Sequence, residues 1–462
     1  MSGDSQTSRV SIVIPTFNQG RYLARAIESA LIQDDVRPEM IVIDDGSQDD
    51  TAEVVEPYRD RIRYVRQANQ GVGAARNHGL RLARGATVAF LDSDDYFLPG
   101  ALAILYRELA GRPALGALQG GVVVVDEGGK ELWTENQWHD APVLDLKTWL
   151  WRKPVVLKTM LVRREWAERI GGFDVGLKSA QDVDFVIRLV AAGCRIDWVR
   201  RPIVYYRQHM ASMSRDAVEE AEALVIIHDR YFARADVPAA LRRDENGIRF
   251  YSLLWCAWRM AGRGQTEQVV EWLQRSFVHT PYPRDQTVLD WVQQFLSFDA
   301  HIDQTTSGVE TWRPLVKAAA HAVHANWESA DAWISWWTRV WAHYLEGREA
   351  RALEGLAEYR GTPWSEVLGF ARDSVPLSPL ERRIALADRF WADARTTGLI
   401  PPGKERAVAG FYLPLGLRAV RNREYGLARR AVWRALRLAT DRAALGAWYQ
   451  FLKSALPLGK RV

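Results

Sequence analysis

The chain of 462 residues contains only two cysteines, Cys194 and Cys256. They lie far apart in apolar surroundings, which argues against a disulfide framework or a cysteine-based zinc site and fits a reducing cytoplasm. Long apolar runs are also missing. No stretch approaches the ~20 apolar residues a membrane-spanning helix needs, and the polar first nine residues lack the apolar core of a secretory signal. Membrane contact is therefore expected to be peripheral, at the inner face. Charge of one sign is scarce too, with a net charge of +4, but the balance is uneven. From Pro401 onward there are about ten more basic than acidic side chains, leaving the rest slightly acidic. Such a tail is either a solvated helical face or a contact for anionic lipid headgroups or an acidic partner. No nucleic-acid-binding motif accompanies it, so nucleic acid is not an expected partner.

The rest of the composition is that of an ordinary globular protein, 48% apolar and 26% charged, with enough chain for two or three domains. Over residues 10–206, short β-rich runs at 10–15, 40–44 and 87–91 alternate with helical patterns at 19–32, 50–58 and 72–83. Strand–helix–strand alternation implies an α/β domain with an open, mostly parallel sheet covered on both faces. In such sheets ligands bind beyond the carboxyl ends of the strands. Residues 16–18, 44–50 and 92–95 all fall there, so three polar clusters distant in sequence should meet on one edge. Beyond about Ser214 the pattern turns helical. We expect a catalytic domain over 1–215 and an all-α accessory domain over 216–462, with a break near 280–310. Helical hairpins at 251–277 and 411–438 fit a degenerate tetratricopeptide-like array or a plain bundle. The tryptophans Trp333, Trp336, Trp337 and Trp341 follow helical spacing, which reads first as core packing and second as an aromatic binding surface.

Chemistry concentrates in five segments. Asp92-Ser93-Asp94-Asp95 follows a strand directly, and alternate carboxylates at a strand end can share a side. Like charges so placed repel unless a cation joins them, and a few hard oxygen ligands suit Mg²⁺ or Mn²⁺ held jointly with phosphates. The plainer alternative is a helix-capping loop. In Asp44-Asp45-Gly46-Ser47-Gln48-Asp49-Asp50-Thr51 the later residues read as a cap, whereas Asp44 and Asp45 could accept a base imide N–H or sugar hydroxyls. Gly71-Val72-Gly73-Ala74-Ala75-Arg76-Asn77 permits close approach to a phosphate, with Arg76 one turn into the helix. It is equally readable as a structural turn. Gly171-Gly172-Phe173-Asp174 reads as a turn, and Gln181-Asp182-Val183-Asp184-Phe185 opens a helix. There Asp182 is either a dipole-favoured acid or a general base. Last, Tyr205-Tyr206-Arg207-Gln208-His209 leaves His209 in a polar loop, with Ser212 and Ser214 beyond.

The order and content of these clusters, together with Val10-Ser11-Ile12-Val13-Ile14-Pro15-Thr16-Phe17-Asn18, resembles the family 2 glycosyltransferases of the GT-A fold over about the first 215 residues. The resemblance implies roles. Pro15, Thr16 and Phe17 would line the nucleotide pocket, Asp45 or else Asp44 would read the base, and Arg76 would lie near the nucleotide. Asp92, with Ser93 beside it, would contact the ribose or sugar. Asp94 would hold Mn²⁺ or Mg²⁺ bridging the diphosphate, with His209 near the diphosphate or that metal in a closing loop. Asp182 would be the base, and Gly172, Phe173 and Gln181 would lie on the acceptor side. The family commonly has an acid at the position of Gln181, a departure that leaves the base in place.

The expected function is inverting, metal-dependent transfer from a nucleotide diphosphate sugar, a UDP-sugar foremost, to a hydroxyl of a glycan, lipid-linked or peptide acceptor. A homo-oligomer is compatible with it. A nucleotidyltransferase would need a basic glycine-rich loop after the first strand, where Pro15-Thr16-Phe17-Asn18-Gln19-Gly20 stands instead. An inactive sugar-nucleotide-binding scaffold would not need Asp92, Asp94 and Asp182 together.

Overall fold

The computed structural model describes residues 10–334, apart from 34–35, 136, 140, 142, 155, 210–216, 281–282, 303–306, 329 and 332–333. The expectations for Ser212, Ser214, Trp333, Trp336, Trp337, Trp341, the hairpin at 411–438 and the basic tail lie outside the described residues.

Four parallel strands form the first half of a curled sheet. They are β1 (Val10–Thr16), β2 (Glu39–Asp44), β3 (Arg63–Arg66) and β4 (Thr87–Phe90), in the order β3-β2-β1-β4. β1 is buried along its whole length. Its Ile12 and Ile14, with Met40 and Val42 of β2, face a core that also holds Leu23, Ala26, Ile27 and Ala30 of helix α1 (Gly20–Leu31) and Val55 of α2 (Thr51–Val55). On the other face Ile41 and Ile43 pack on Ala75 and Ala83. Those two residues belong to, or directly follow, α3 (Val72–Leu82). Burial on both faces explains why these strands read as near-continuous apolar runs. Gly79 lets α3 approach β1 closely, since a Cβ there would overlap both γ carbons of Val13.

The second half of the sheet is mixed, and its order could not be read from apolar runs. β8 (Leu161–Arg163) pairs antiparallel with β4, and β6 (Ala117–Val125) antiparallel with β8. β9 (Ile196–Arg207) runs parallel to β6. Two short strands complete it, β5 (Tyr96–Phe97) against β9 and β7 (Glu131–Glu135) against β6, both antiparallel. Most paired residues still lie in parallel ladders. The remaining helices of this part include α4 (Ala101–Ala110), α5 (Leu146–Trp151), α6 (Arg164–Arg169) and α7 (Gln181–Ala191). The β5–β9 pairing sets Tyr96 opposite Tyr205. It thereby brings the residues that follow β9 beside the 92–95 loop that precedes β5.

Chain contacts divide the molecule into two compact units, Met1–Ile248 and Arg249–Val462. Helix α8 (Ala217–Phe232) belongs to the first unit, and the division falls within α9 (Ala239–Gly262). In the second unit α9 turns at Gly264, whose φ is +73°, into α10 (Thr266–Phe277), as the sequence predicts. α11 (Arg284–Ile302) and α12 (Ser307–Ala322) follow. Trp272, Trp291 and Trp312 are buried. The Trp291 indole N–H donates to Ser276 Oγ at 3.1 Å, so these tryptophans build a core. The described helices have 24, 12, 19 and 16 residues, not the equal paired arms of a tetratricopeptide array.

Candidate active site

The clusters predicted from sequence converge at the carboxyl ends of β1, β2 and β4. At the end of β1, Pro15 and Thr16 are buried while Phe17 is 45% exposed. Thr16 Oγ1 is buried without a hydrogen-bond partner among the described residues. Asn18, at φ +52°, is tied to the neighbouring loop: its N–H donates to Ser47 Oγ and its Oδ1 accepts from Gln48 N, at 2.9 and 2.7 Å.

Both acids at the end of β2 shape loops, a task the capping pattern assigned only to the residues after them. Asp44 accepts from Ser47 N at 2.8 Å and from the Tyr64 hydroxyl at 2.6 Å. Asp45 accepts from Gln67 Nε2, Gln70 N and Gly71 N at 2.8, 3.0 and 2.8 Å. Its carboxylate thus fixes the entry to α3, where Gly71 sits at φ +88°. The same helix carries Arg76 and Asn77 into the site.

Arg76 is buried and donates to Asp92 Oδ1 at 2.7 Å, and its Nε has no partner among the described residues. Asp92 is held from the other side by Lys158, at 3.4 Å from Oδ2. Burial opposes ionisation of Asp92, but Arg76 and Lys158 outweigh it and bring the carboxyl down to about 2. Lys158 also sits 2.5 Å from Asp95 Oδ2. Burial, with Asp94 and Asp92 alongside, pushes the Asp95 carboxyl up to about 7, and Lys158 pulls the other way. The Lys158 ammonium is itself held above the usual lysine range, because Asp95 and Asp92 overcome its burial. Ser93 is buried within the loop.

Asp94 meets His209 through a 3.0 Å contact between Oδ2 and Nε2. Arg207 secures the meeting. Its backbone N–H donates to Asp95 Oδ1 at 2.8 Å, its Nε to the Asp94 carbonyl at 3.0 Å, and its Nη1 to the Glu127 carbonyl. The His209 ring lies 4.9 Å from that of Tyr22. Among the described residues no group of three or more His, Cys, Asp or Glu could hold an ion alone. One carboxylate and one imidazole suit a cation that completes its shell with phosphate oxygens and water.

The remaining cluster closes the site. Asn77 clasps the backbone of Phe173, accepting its N–H at 2.7 Å and donating to its carbonyl at 2.8 Å. Gly172 is required there, since its φ is +74° and a Cβ would overlap Asn77 Oδ1. The Phe173 ring does not face outward. It is stacked on Phe185 at 4.2 Å and set edge-on to Phe90, so it contributes backbone and support rather than an exposed ring. Gln181 is likewise turned inward, donating to the Leu177 and Lys178 carbonyls at 2.9 and 2.8 Å. Ala180, left-handed at φ +54°, launches α7 and sets Asp182 at its first turn. Asp182 lies within the field of Arg76, Asp92 and Lys158. Burial raises its carboxyl above the ordinary range, against the pull of Arg76 and the Val183 N–H.

Two residues of this network were given no role from sequence. Lys158 is the one charge in the apolar run 155–162, which was its available signal. Arg207 stood inside a quoted segment, but its partners lie more than 70 positions away in the chain.

Residues 11–171 match the family model described as glycosyl transferase family 2. Among curated proteins, the chain is 30% identical over 187 residues to a chondroitin synthase of Escherichia coli, covering 40% of this chain and 27% of that protein. It is 28% identical over 233 residues to an uncharacterized glycosyltransferase of Rickettsia typhi, covering 48% of this chain and 72% of that one. The chain therefore spans only about a quarter of the chondroitin synthase. Among solved structures, TarS 1–349 of S. aureus in complex with UDP superposes with a TM-score of 0.46 at 20% identity, over 67% of this chain and 86% of that one. With the ordered clusters and the curled, mostly parallel sheet, the family match identifies residues 11–171 as a family 2 glycosyltransferase domain.

Proposed function

We propose that this chain transfers a sugar from a nucleotide diphosphate sugar, a UDP-sugar foremost, to a hydroxyl of a glycan, lipid-linked or peptide acceptor, with inversion at the anomeric carbon. One observation carries the reading. Arg76, Asp92 and the Asp94–His209 pair come from separate segments of the sequence and meet beyond the end of β4, with Asp182 of α7 within the field of Arg76 and Asp92. Thr16 Oγ1 and Arg76 Nε are buried polar atoms available to a nucleotide there. Asp44 and Asp45 read a base only by sharing the bonds that now hold their loops. Asp94 and His209 would hold Mn²⁺ or Mg²⁺, and their mixed oxygen and nitrogen set favours Mn²⁺. When bound, such an ion neutralises charge on the leaving diphosphate.

The chain's own groups do the rest. Asp92, fixed between two cations, accepts from donor hydroxyls. Asp182, raised above an ordinary carboxylate by burial, takes the proton of the attacking hydroxyl. The sugar passes in a single displacement, so no residue has to carry it covalently. The test is donor turnover with Mn²⁺ present, in the wild-type chain and in Asp182→Asn. The reading expects turnover that falls by about 10²–10⁴-fold in the variant with donor binding retained. Near-normal turnover in Asp182→Asn would remove the base assignment.

A further inference from the structure

Lys158 stands on the 3₁₀ turn Leu157–Thr159 that leads into β8. That turn is rigidly seated. Leu157 and Met160 are buried, and the single O–H of Thr159 lies within hydrogen-bond reach of the carbonyls of Gly120 and Val156, at 3.0 and 2.8 Å. From this base the ammonium reaches Asp95 Oδ2 at 2.5 Å and Asp92 Oδ2 at 3.4 Å. It also lies 3.9 Å from the centre of the Tyr206 ring. Two carboxylates and an aromatic face thus confine a side chain that is ordinarily among the most mobile.

The consequence falls on Asp92. Its Oδ1 belongs to Arg76 of α3 and its Oδ2 to Lys158 of the turn. Two cations from separate elements, one on each oxygen, fix both the direction and the plane of the carboxylate. Asp92 keeps 30% of its side chain exposed, whereas Asp95 beneath it has none. The open lone pairs of Asp92 are therefore presented at a fixed angle, as recognition of a polyhydroxylated ligand demands. We propose that Lys158 is a positioning residue for the donor sugar: by bridging Asp95 and Asp92 it holds the Asp92 carboxylate in the orientation that accepts sugar hydroxyls. This rests on the donor-site reading above and adds a residue to it.

The measurement is calorimetric titration of the full chain, with Mn²⁺, against UDP and against UDP-glucose and UDP-N-acetylglucosamine. Its readout is the affinity ratio between the better UDP-sugar and UDP alone. Lys158→Met should lower that ratio at least fivefold while changing UDP affinity less than threefold. Asp92→Asn should lower it equally, and the double variant no further, because both changes remove one arrangement. Asp92 is partly exposed, so its variant reports even if Lys158→Met does not fold. A wild-type ratio retained in either variant overturns the proposal. So does a parallel loss of UDP and UDP-sugar in Lys158→Met, which would make Lys158 a general support of the loop. A wild-type chain that binds none of these nucleotides defeats the donor-site reading instead.

Discussion

At the scale of single residues, Asp182 joins the chemistry to stability. An acid whose carboxyl is raised in the folded state favours folding when protonated, and that contribution fades as pH rises through its folded value. Burial raises Asp182, so the ionised form that the proposed base role requires is also the form the fold disfavours. Two outcomes follow. In the wild type, kcat/KM should climb with pH along an acid limb lying above the ordinary carboxylate value of about 4. The Asp182→Asn variant should have a Tm at pH 8 equal to or above that of the wild type, read by calorimetry. A lower Tm would mean that the carboxylate stabilises the site. The two glycines before Phe173 separate two causes of strain. Gly171 has φ +77° with open space around its missing Cβ, whereas Gly172 adds the overlap with Asn77. Gly171→Ala should cost about 1 kcal/mol and Gly172→Ala roughly 2–4 kcal/mol, compared by denaturant unfolding. Equal costs would show that Asn77 yields freely.

Among elements, the α3–β1 contact matters most, because α3 carries both Arg76 and Asn77. Gly79→Ala drives a methyl into Val13 and should destabilise by about 1–3 kcal/mol. Gly79→Ala with Val13→Ala should recover part of that loss, since the two changes act on one contact. Much of this layer was legible in the sequence. The strands at 10–15, 40–44 and 87–91 and the helix starts beside them follow from burial on both sheet faces and from turn chemistry. Their observed limits differ by a residue at most. Less legible was the mixed half of the sheet, where β5 has two residues and β8 three, too few for any periodicity. The site divides the same way. Acids beside strand ends announced themselves, but the bonds of Asp45, the inward turn of Phe173 and the reach of Lys158 and Arg207 depend on partners brought near only by folding.

For the molecule as a whole, charge balance decides how a donor enters. Asp92, Asp94, Asp95 and Asp182 share the site with Arg76, Lys158 and Arg207, and each of these cations already has partners there. On the proposed reading, a diphosphate meets cations already engaged by the protein, and a divalent ion arriving with it would supply the attraction. Thermal melts with UDP, GDP, TDP and CDP should show a rise for one nucleotide with Mn²⁺ and none for that nucleotide in a chelator. At a hundredfold excess over Kd the stabilisation is about 2.7 kcal/mol. A full shift in chelator would show that Arg76 and Lys158 release their partners to the phosphates. β9 adds a constraint of length. It runs for 12 residues beside β6, and its end near β5 leads straight to His209. One added residue between Arg207 and His209 would leave both ladders intact and yet deliver a different side chain to Asp94. Along that stretch the residue count itself acts as a ruler, and a family of variants built on this scaffold is free to change its letters more readily than its spacing.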